Sequence, residues 1–172
     1  MQPCERASRD ADFERLFHAE YARVVGVAYQ TIRDRQEAED VAQEAFIRFH
    51  ERYPPDASFA AAWLCRTAAN IGLTRLRSRR RREHRELDHV RGARYQLVDP
   101  EEVLEAREQR RLVRDALRRI APKKARVLAL RYSGLTYTEV AAALGIRPDQ
   151  VGTLLRRAEA AFEKELDRAA LE

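Results

Sequence analysis

The sequence predicts an all-α protein of two small helical domains joined by a linker, with a helix-turn-helix in the C-terminal domain. Three observations carry this prediction. The 172 residues include only six Gly and six Pro, while the helix-favouring Ala, Leu, Arg and Glu are abundant. Apolar residues recur at helical spacing along most of the chain. Hydrophobic residues make up 45% and charged residues 35%, which suits small cores and excludes a membrane-spanning protein.

The N-terminal domain is predicted over residues 8–83 as a bundle of three amphipathic helices. The first helix begins at a cap, Asp10 or Asp12. The second ends before Pro54, because proline cannot continue a helix. Ser58 is predicted to cap the third helix. The apolar stripes of the three helices would meet in a core rich in aromatic residues.

A linker is predicted over residues 84–98, where no apolar stripe is sustained. The C-terminal domain, residues 99–172, then begins with Asp99 as a helix cap and Pro100 at the first helical position. Pro122 opens a further helix in the same way.

A short helix, a glycine turn and a second helix form the clearest local signal. Thr136 and Glu139 match a capping box for a helix over residues 137–144. Gly145 ends that helix, and Pro148 lies where the next begins. The corner between them is predicted to be closed by Val140, Leu144, Ile146, Val151 and Leu155. The second helix would enter a DNA major groove, although any helical hairpin in a bundle shares this pattern.

The formal net charge is +5, and the charged residues are unevenly distributed along the chain. An arginine run over residues 75–85 suits a single-stranded polyanion, and Asn70 just upstream can bond a base edge. A second basic run, residues 118–131, suits phosphate contacts beside the helix-turn-helix. An acidic cluster over residues 37–44 is either a solvated face or a docking surface for a basic protein.

The sequence offers no catalytic or metal-binding constellation. Cys4 and Cys65 are far apart and are not clustered with His, which predicts neither a disulfide framework nor a zinc site. We interpret Cys65 as inert core packing. No glycine-rich phosphate loop, carboxylate pair or Ser/His/Asp arrangement stands out. The first residues lack the apolar stretch of a secretory signal. We therefore expect a cytoplasmic protein that is not an enzyme, needs no cofactor and does not insert into a membrane.

Three segments, in this order, resemble bacterial RNA polymerase sigma factors. AEDVAQEAF at residues 38–46 resembles the helix that binds core polymerase. WLCRTAAN at residues 63–70 resembles the promoter-melting helix, and residues 134–158 resemble the C-terminal helix-turn-helix. The resemblance covers nearly all of residues 10–165. The short two-domain length points to the extracytoplasmic-function (ECF) group.

The resemblance implies a sigma factor that directs core RNA polymerase to specific promoters and assists promoter opening. The implied polymerase contacts are Asp40, Gln43 and Glu44. The implied contacts to the minus-ten element, which melts, are Arg66, Asn70, Arg75, Arg77, Arg79 and Arg80. The implied contacts to the minus-thirty-five duplex are Lys123, Arg126, Thr136, Arg147, Gln150, Thr153, Arg156 and Arg157. The implied partners are core polymerase, promoter DNA as duplex and as melted non-template strand, and an anti-sigma factor.

Three positions depart from the family. Basic residues are common where Gly152 and Leu154 stand, and an aromatic residue is common where Cys65 stands. With these residues, recognition of the minus-thirty-five element would lean on phosphate contacts and DNA shape. Two alternatives stay open: a helix-turn-helix regulator that binds duplex DNA without polymerase, and a decoy or interaction protein that retains only partner binding.

Overall fold

The computed structural model describes residues 3–86 and 100–170, with side chains over residues 9–78 and 106–169. The described residues form helices and short turns, with no strand among them. The helices are α1 Pro3–Ile32, α2 Arg35–Arg52, α3 Ala60–Glu86, α4 Pro100–Arg119, α5 Pro122–Tyr132, α6 Tyr137–Leu144 and α7 Pro148–Ala170. The predicted all-α fold is confirmed.

The N-terminal half is a bundle of α1, α2 and α3 around an aromatic core. Phe46 and Phe49 of α2 are buried at its centre. The ring of Phe17 in α1 lies 4.9 Å from that of Phe46, and the ring of Trp63 in α3 lies 5.5 Å from that of Phe49, measured between centroids. The predicted aromatic core is therefore present, and it holds all three helices together.

Gly72 of α3 faces Thr31 of α1 where the two helices pack together. A Cβ atom on Gly72 would lie 2.1 Å from the Thr31 Oγ1, which no real side chain tolerates. Thr31 is fully buried, and its hydroxyl donates to the Ala28 carbonyl at 2.7 Å. The missing side chain of Gly72 thus allows this crossing to close.

The N-terminal ends of two helices differ from prediction. Helix α1 begins several residues before Asp10 and Asp12, so both lie inside the helix instead of capping it. In α3 the first helical hydrogen bond runs from the Trp63 N–H to the Phe59 carbonyl at 2.9 Å. This bond places the cap at Phe59, one residue after Ser58.

The segment between the two halves is described only in part. Helix α3 continues through Glu86, beyond the predicted start of the linker at residue 84. The cap predicted at Asp99 lies outside the described residues. Pro100 and Pro122 both occupy the first position of a helix, as predicted.

The C-terminal half packs α4, α5 and α6 against α7 and contains the predicted helix-turn-helix. At the start of α6, the Glu139 N–H donates to the Thr136 Oγ1 at 3.3 Å, and the Thr136 N–H donates to the Glu139 carboxylate at 2.7 Å. Gly145 ends the helix with φ at +65°, the left-handed conformation that favours glycine. Val140 and Val151 are fully buried in the corner.

The two halves pack against each other. Helix α3 contacts α5 and α6, and buried apolar residues from both halves belong to one cluster. The Gln30 Nε2 donates to the Tyr132 carbonyl at 3.0 Å, and the Arg118 Nε donates to the Leu76 carbonyl at 3.1 Å. No sequence pattern indicated this contact between the halves.

Candidate nucleic-acid interface

The side chains predicted to bind polymerase lie on α2 but have different surroundings. Asp40 and Gln43 are exposed, whereas Glu44 is half-buried. Ile47 lies one turn beyond Gln43 on the same face and is 59% exposed. A single exposed apolar side chain is common on protein surfaces, and here it extends the polar face that the sequence predicts to bind polymerase. Sequence reasoning missed Ile47, although its spacing from Gln43 could have indicated it.

A cavity of about 390 Å³ lies between α2 and α3. It is lined by Glu44, Arg48, Arg52, Trp63, Thr67, Asn70, Ile71, Thr74 and Arg75. The guanidinium groups supply positive charge for a phosphate backbone. The Asn70 amide can bond a base edge, and the Trp63 ring offers a surface on which a base can stack. This chemistry suits single-stranded nucleic acid.

Only part of this cavity was predicted. Asn70 and Arg75 belong to the predicted minus-ten set, whereas Arg48 and Arg52 were not expected there. On α2 alone these two arginines are indistinguishable from ordinary surface charges, and only the packing of α3 beside them creates a cavity. Trp63 packs against Phe49 and also lines the cavity.

Glu44 connects the predicted polymerase surface to this cavity. Its carboxylate accepts a hydrogen bond from Arg48 on α2 and another from the Arg75 Nη2 on α3, the latter at 2.6 Å. The side chains of Arg75 and Glu44 are 37% and 31% exposed, so water shields this pair only in part. A residue predicted to bind polymerase is therefore bonded to one predicted to bind promoter DNA.

The other predicted minus-ten arginines are spread along α3. Arg66 is exposed and Arg77 is half-buried. Burial, and after it the positive charge of Arg126, lowers the pKa of the Arg77 guanidinium. The Arg77 Nη2 is buried without a hydrogen-bond partner. The side chains of Arg79 and Arg80 lie outside those described.

One hydrogen bond joins the two predicted DNA-binding sets. The Asn70 Oδ1 accepts from the Arg126 Nη1 at 3.3 Å. Asn70 belongs to the minus-ten set and Arg126 to the minus-thirty-five set, and both are half-buried. Lys123, which precedes Arg126 by one turn of α5, is exposed.

The predicted duplex-binding residues of the helix-turn-helix lie on its surface. Five are exposed at and after the start of α7: Arg147, Gln150, Thr153, Arg156 and Arg157. Arg147 pairs with Asp149, and its backbone N–H donates to the Gln150 Oε1 at 3.3 Å. Thr136 is held in the capping box. These local bonds orient the start of α7, and they would have to break wherever the same groups contact DNA.

The two departures on α7 have different surroundings. Leu154 packs against the hydrophobic core, so a basic side chain at this position would be unfavourable in this fold. Gly152 lies beside the ring of Tyr137, where an added Cβ would meet Cε2 at an ordinary 3.6 Å. The Arg131 guanidinium covers the same ring at 5.6 Å from its centroid.

An ion pair between Arg23 of α1 and Glu139 of α6 also joins the halves. The Glu139 carboxylate accepts hydrogen bonds from the Thr136 backbone N–H and from the Arg23 guanidinium. These bonds, the Thr136 bond more than the Arg23 bond, lower the pKa of Glu139 from an ordinary 4.5 to about 2. Glu139 is therefore ionised at neutral pH.

Cys65 is buried, and burial raises the pKa of its thiol to about 12. The thiol is therefore protonated at neutral pH, in keeping with its interpretation as packing. Across the described side chains, no group of three or more His, Cys, Asp or Glu is placed to hold a metal ion. None of the described helices is both long enough and apolar enough to cross a membrane.

Comparison with known proteins agrees with this geometry. Residues 16–82 match the family described as Sigma-70 region 2, and residues 110–162 match Sigma-70, region 4. The chain is 29% identical to the RNA polymerase sigma-H factor of Pseudomonas aeruginosa, over 84% of this chain and 80% of that protein. It is 27% identical to the RNA polymerase sigma-E factor of Streptomyces avermitilis, over 94% of this chain and 88% of that protein.

A solved structure shares the fold. It is the sigma factor RpoE of Bartonella quintana in complex with the anti-sigma factor NepR, with a TM-score of 0.54 at 18% identity, covering 91% of this chain and 97% of that one. The two family matches together span more than half of the sequence and occur in the order of the two helical halves. The chain therefore belongs to the sigma-70 family of RNA polymerase sigma factors, in the ECF group.

Proposed function

We propose that this chain directs core RNA polymerase to specific promoters and helps to open them, through separate surfaces for polymerase and for each promoter element. The cavity between α2 and α3 is the observation that carries the proposal. A helix-turn-helix alone suits any duplex-binding regulator, whereas a basic cavity with a stacking ring and an amide suits an unpaired strand.

The polymerase-binding surface is the exposed face of α2 that holds Asp40, Gln43 and Ile47. An acidic and polar face with one exposed apolar side chain at its end can combine charge steering with burial of apolar area on the partner. Glu44 lies at the edge of this face and turns its carboxylate toward Arg75. We assign Glu44 to the boundary between the polymerase surface and the strand-binding cavity.

The promoter-binding surfaces lie on both halves. In the first half, Arg48, Arg52 and Arg75 would hold the phosphates of the melted non-template strand, while Asn70 and Trp63 contact an unstacked base. Arg66, Arg77, Arg79 and Arg80 would extend this track along α3. In the second half, Arg147, Gln150, Thr153, Arg156 and Arg157 would contact the minus-thirty-five duplex, supported by Lys123, Arg126 and Thr136.

The chain would itself carry no active site, since polymerase supplies the chemistry of RNA synthesis. Its place of action would be the cytoplasm, where polymerase and the chromosome are found in bacteria. By analogy with the relative crystallised with NepR, we propose an anti-sigma factor as a further partner. It would regulate the factor by covering one or more of the surfaces described above.

Reconstitution tests this function directly. Purified chain is added to core polymerase and host genomic DNA, and the RNA 5′ ends are sequenced. We expect new start sites that share upstream sequence elements and that are missing when the chain is omitted. Tight duplex binding by the chain alone, without new start sites, would instead establish a regulator that acts without polymerase. Polymerase binding without new start sites would establish a decoy.

The docking surface can be tested against a matched control on other helices. Replacing both Asp40 and Gln43 with Ala should weaken binding to core polymerase, while binding of the isolated chain to a single-stranded oligonucleotide should persist. The control replaces Gln109 of α4 and Asp167 of α7, two exposed residues, with Ala, and should leave both affinities unchanged. Equal loss of both affinities in the Asp40 and Gln43 variant would refute the assigned roles.

A further inference from the structure

We propose that Tyr137 is a specificity-determining residue of the helix-turn-helix, and that the gap beside Gly152 admits the C5 methyl group of a thymine in the minus-thirty-five duplex. This inference rests on the duplex contacts proposed above for α7 and adds a base contact from α6. It names an apolar group of one base, whereas the side chains proposed above to contact the duplex are polar or charged.

Tyr137 is a large aromatic residue that lies on the surface at the first position of α6. Its side chain is 45% exposed. The Arg131 guanidinium covers one face of the ring at 5.6 Å from the centroid, and the Arg131 Nη1 donates to the Leu135 carbonyl at 3.2 Å. An exposed ring that is already held in place can contact a ligand with little loss of side-chain entropy.

Gly152 of α7 leaves a gap at the edge of this ring. It lies inside a helix and its φ is not positive, so the backbone does not require a glycine there. An added Cβ would meet only the Tyr137 Cε2, at an ordinary 3.6 Å, so the packing does not require a glycine either. Glycine destabilises a helix interior relative to alanine. The gap is therefore explained best as space for a ligand group.

The gap lies on the face of α7 that is proposed to contact the duplex. Asp149 and Arg156 lie three residues before and four residues after Gly152, which places all three on one face of the helix. Asp149 and Arg156 are exposed, and Arg156 is one of the proposed duplex contacts. A glycine on this face also lets the helix backbone approach the bases closely. The Tyr137 ring edge would therefore lie within reach of a base.

The chemistry of the gap favours a methyl group. An aromatic edge beside a glycine offers apolar contact, and the thymine C5 methyl is the apolar group that base pairs present in the major groove. The Tyr137 hydroxyl could instead bond a phosphate, in which case the gap would not affect base preference. Removing the methyl group and the hydroxyl separately distinguishes the two contacts.

Deoxyuridine tests the methyl contact, because it is thymidine without the methyl group and keeps the same hydrogen-bonding groups. The full chain, with and without core polymerase, selects duplexes from a random-sequence library, and polymerase alone gives the background. Each thymine of the enriched site is then replaced in turn by deoxyuracil. For the wild-type chain we expect one position at which the replacement lowers the affinity about fourfold, the effect of burying one methyl group.

Variants assign this preference to the ring and to the gap. Tyr137→Ser should bind the thymine and deoxyuridine duplexes equally, whereas Tyr137→Phe keeps the ring and should keep the preference. Gly152→Ala partly fills the gap and should reduce the preference, while thermal unfolding checks that this chain is folded. The matched control, Tyr132→Ser, removes another exposed tyrosine and should keep the full preference.

Four results would overturn the contact: an enriched site without thymine, no methyl-sensitive position in the wild type, an unchanged preference in Tyr137→Ser, or its loss in Tyr132→Ser. A lower affinity of Tyr137→Phe for both duplexes alike, with no methyl preference in any chain, would establish the phosphate contact instead.

Failure of the proposed function gives a different result. An absence of new start sites in the reconstituted reaction would refute that function whatever the methyl preference. New start sites together with equal affinity for the thymine and deoxyuridine duplexes would refute the Tyr137 contact alone. A selection that enriches no sequence would also overturn the Tyr137 contact, and the start sites would still decide the function.

Discussion

Glu44 shows how strongly one side chain depends on its neighbours. Its position among the acids of α2 predicts a contact with a protein partner, yet its carboxylate accepts hydrogen bonds from Arg48 and Arg75 at the cavity between α2 and α3. The negative charge neutralises part of the positive charge that would attract phosphates. Glu44 therefore lowers the positive potential of the cavity.

Neutralising Glu44 should strengthen the hold of the cavity on a single strand. In Glu44→Gln, Arg48 and Arg75 no longer share a carboxylate, and each can bind a phosphate. We expect tighter binding to a single-stranded oligonucleotide. A plot of log affinity against log salt concentration should have a slope steeper by about 0.7 for each additional phosphate that the arginines neutralise. Fluorescence anisotropy at several salt concentrations measures both the affinity and this slope. Glu39→Gln, which removes an acid paired with Arg35 on the same helix, should leave the slope unchanged. Equal slopes for the two variants would contradict this role.

At this scale, sequence reasoning succeeded for side chains whose environment is set within one helix. Asp40 and Gln43 are exposed as their positions on α2 predicted. Arg48 and Arg52 were missed because their shared cavity exists only after α3 packs beside α2. The partner of Asn70 was unpredictable for the same reason, since Arg126 is 56 residues away in sequence.

At the scale of elements, local sequence signals predicted the ends of helices better than they predicted how the helices pack together. The capping box of α6, the glycine that follows it and the prolines that open α4 and α5 all lie where expected. Each of these acts through bonds or sterics within one turn. The early start of α1 and the extension of α3 through Glu86 were missed. The start of α1 did carry a signal, since Pro3 lies at its first position as Pro100 and Pro122 do in α4 and α5.

The glycine within α7 provides a stability prediction with an internal control. Gly152→Ala should stabilise the chain by about 1 kcal/mol through reduced backbone entropy, or about 2–4 °C in melting temperature for this size. The added Cβ meets Tyr137 at an ordinary 3.6 Å. Gly145→Ala should instead destabilise, because φ there is +65°. Thermal unfolding followed by circular dichroism gives both values, and shifts of the same sign would refute the argument.

Gly72, where α3 packs against α1, should respond to replacement by Ala in the opposite way to Gly152. Gly72→Ala forces a methyl group against the Thr31 hydroxyl, and we expect a loss of about 1–3 kcal/mol in unfolding free energy. In a Thr31→Ala background the loss should be smaller, because the clashing oxygen is gone. Gly26→Ala on α1 is the control, since nothing lies within 4 Å of its added Cβ. Urea denaturation measures all of these chains, and an equal loss with and without Thr31 would argue against this contact.

At the scale of the whole molecule, the sequence predicted two domains but not their contact. Arg23 and Glu139 are 116 residues apart, and within its own helix Arg23 is an ordinary charge while Glu139 is a capping residue. Their pairing follows from the packing of α1 and α3 against the C-terminal half. An uneven charge pattern indicated which partners the chain could bind, and the packing adds that charged and polar side chains of the two halves also bond each other.

This packing predicts how the whole chain unfolds. Buried residues of both halves belong to one apolar cluster, and Arg23–Glu139, Gln30–Tyr132 and Arg118–Leu76 bridge them. We therefore expect a single cooperative calorimetric transition for the wild-type chain, with equal van't Hoff and calorimetric enthalpies. Arg23→Glu removes one partly exposed ion pair, worth up to about 1 kcal/mol, and should lower the transition temperature by a few degrees while keeping a single transition. Arg15→Glu should change the temperature less. Two transitions in the wild-type chain would mean that the halves are not coupled.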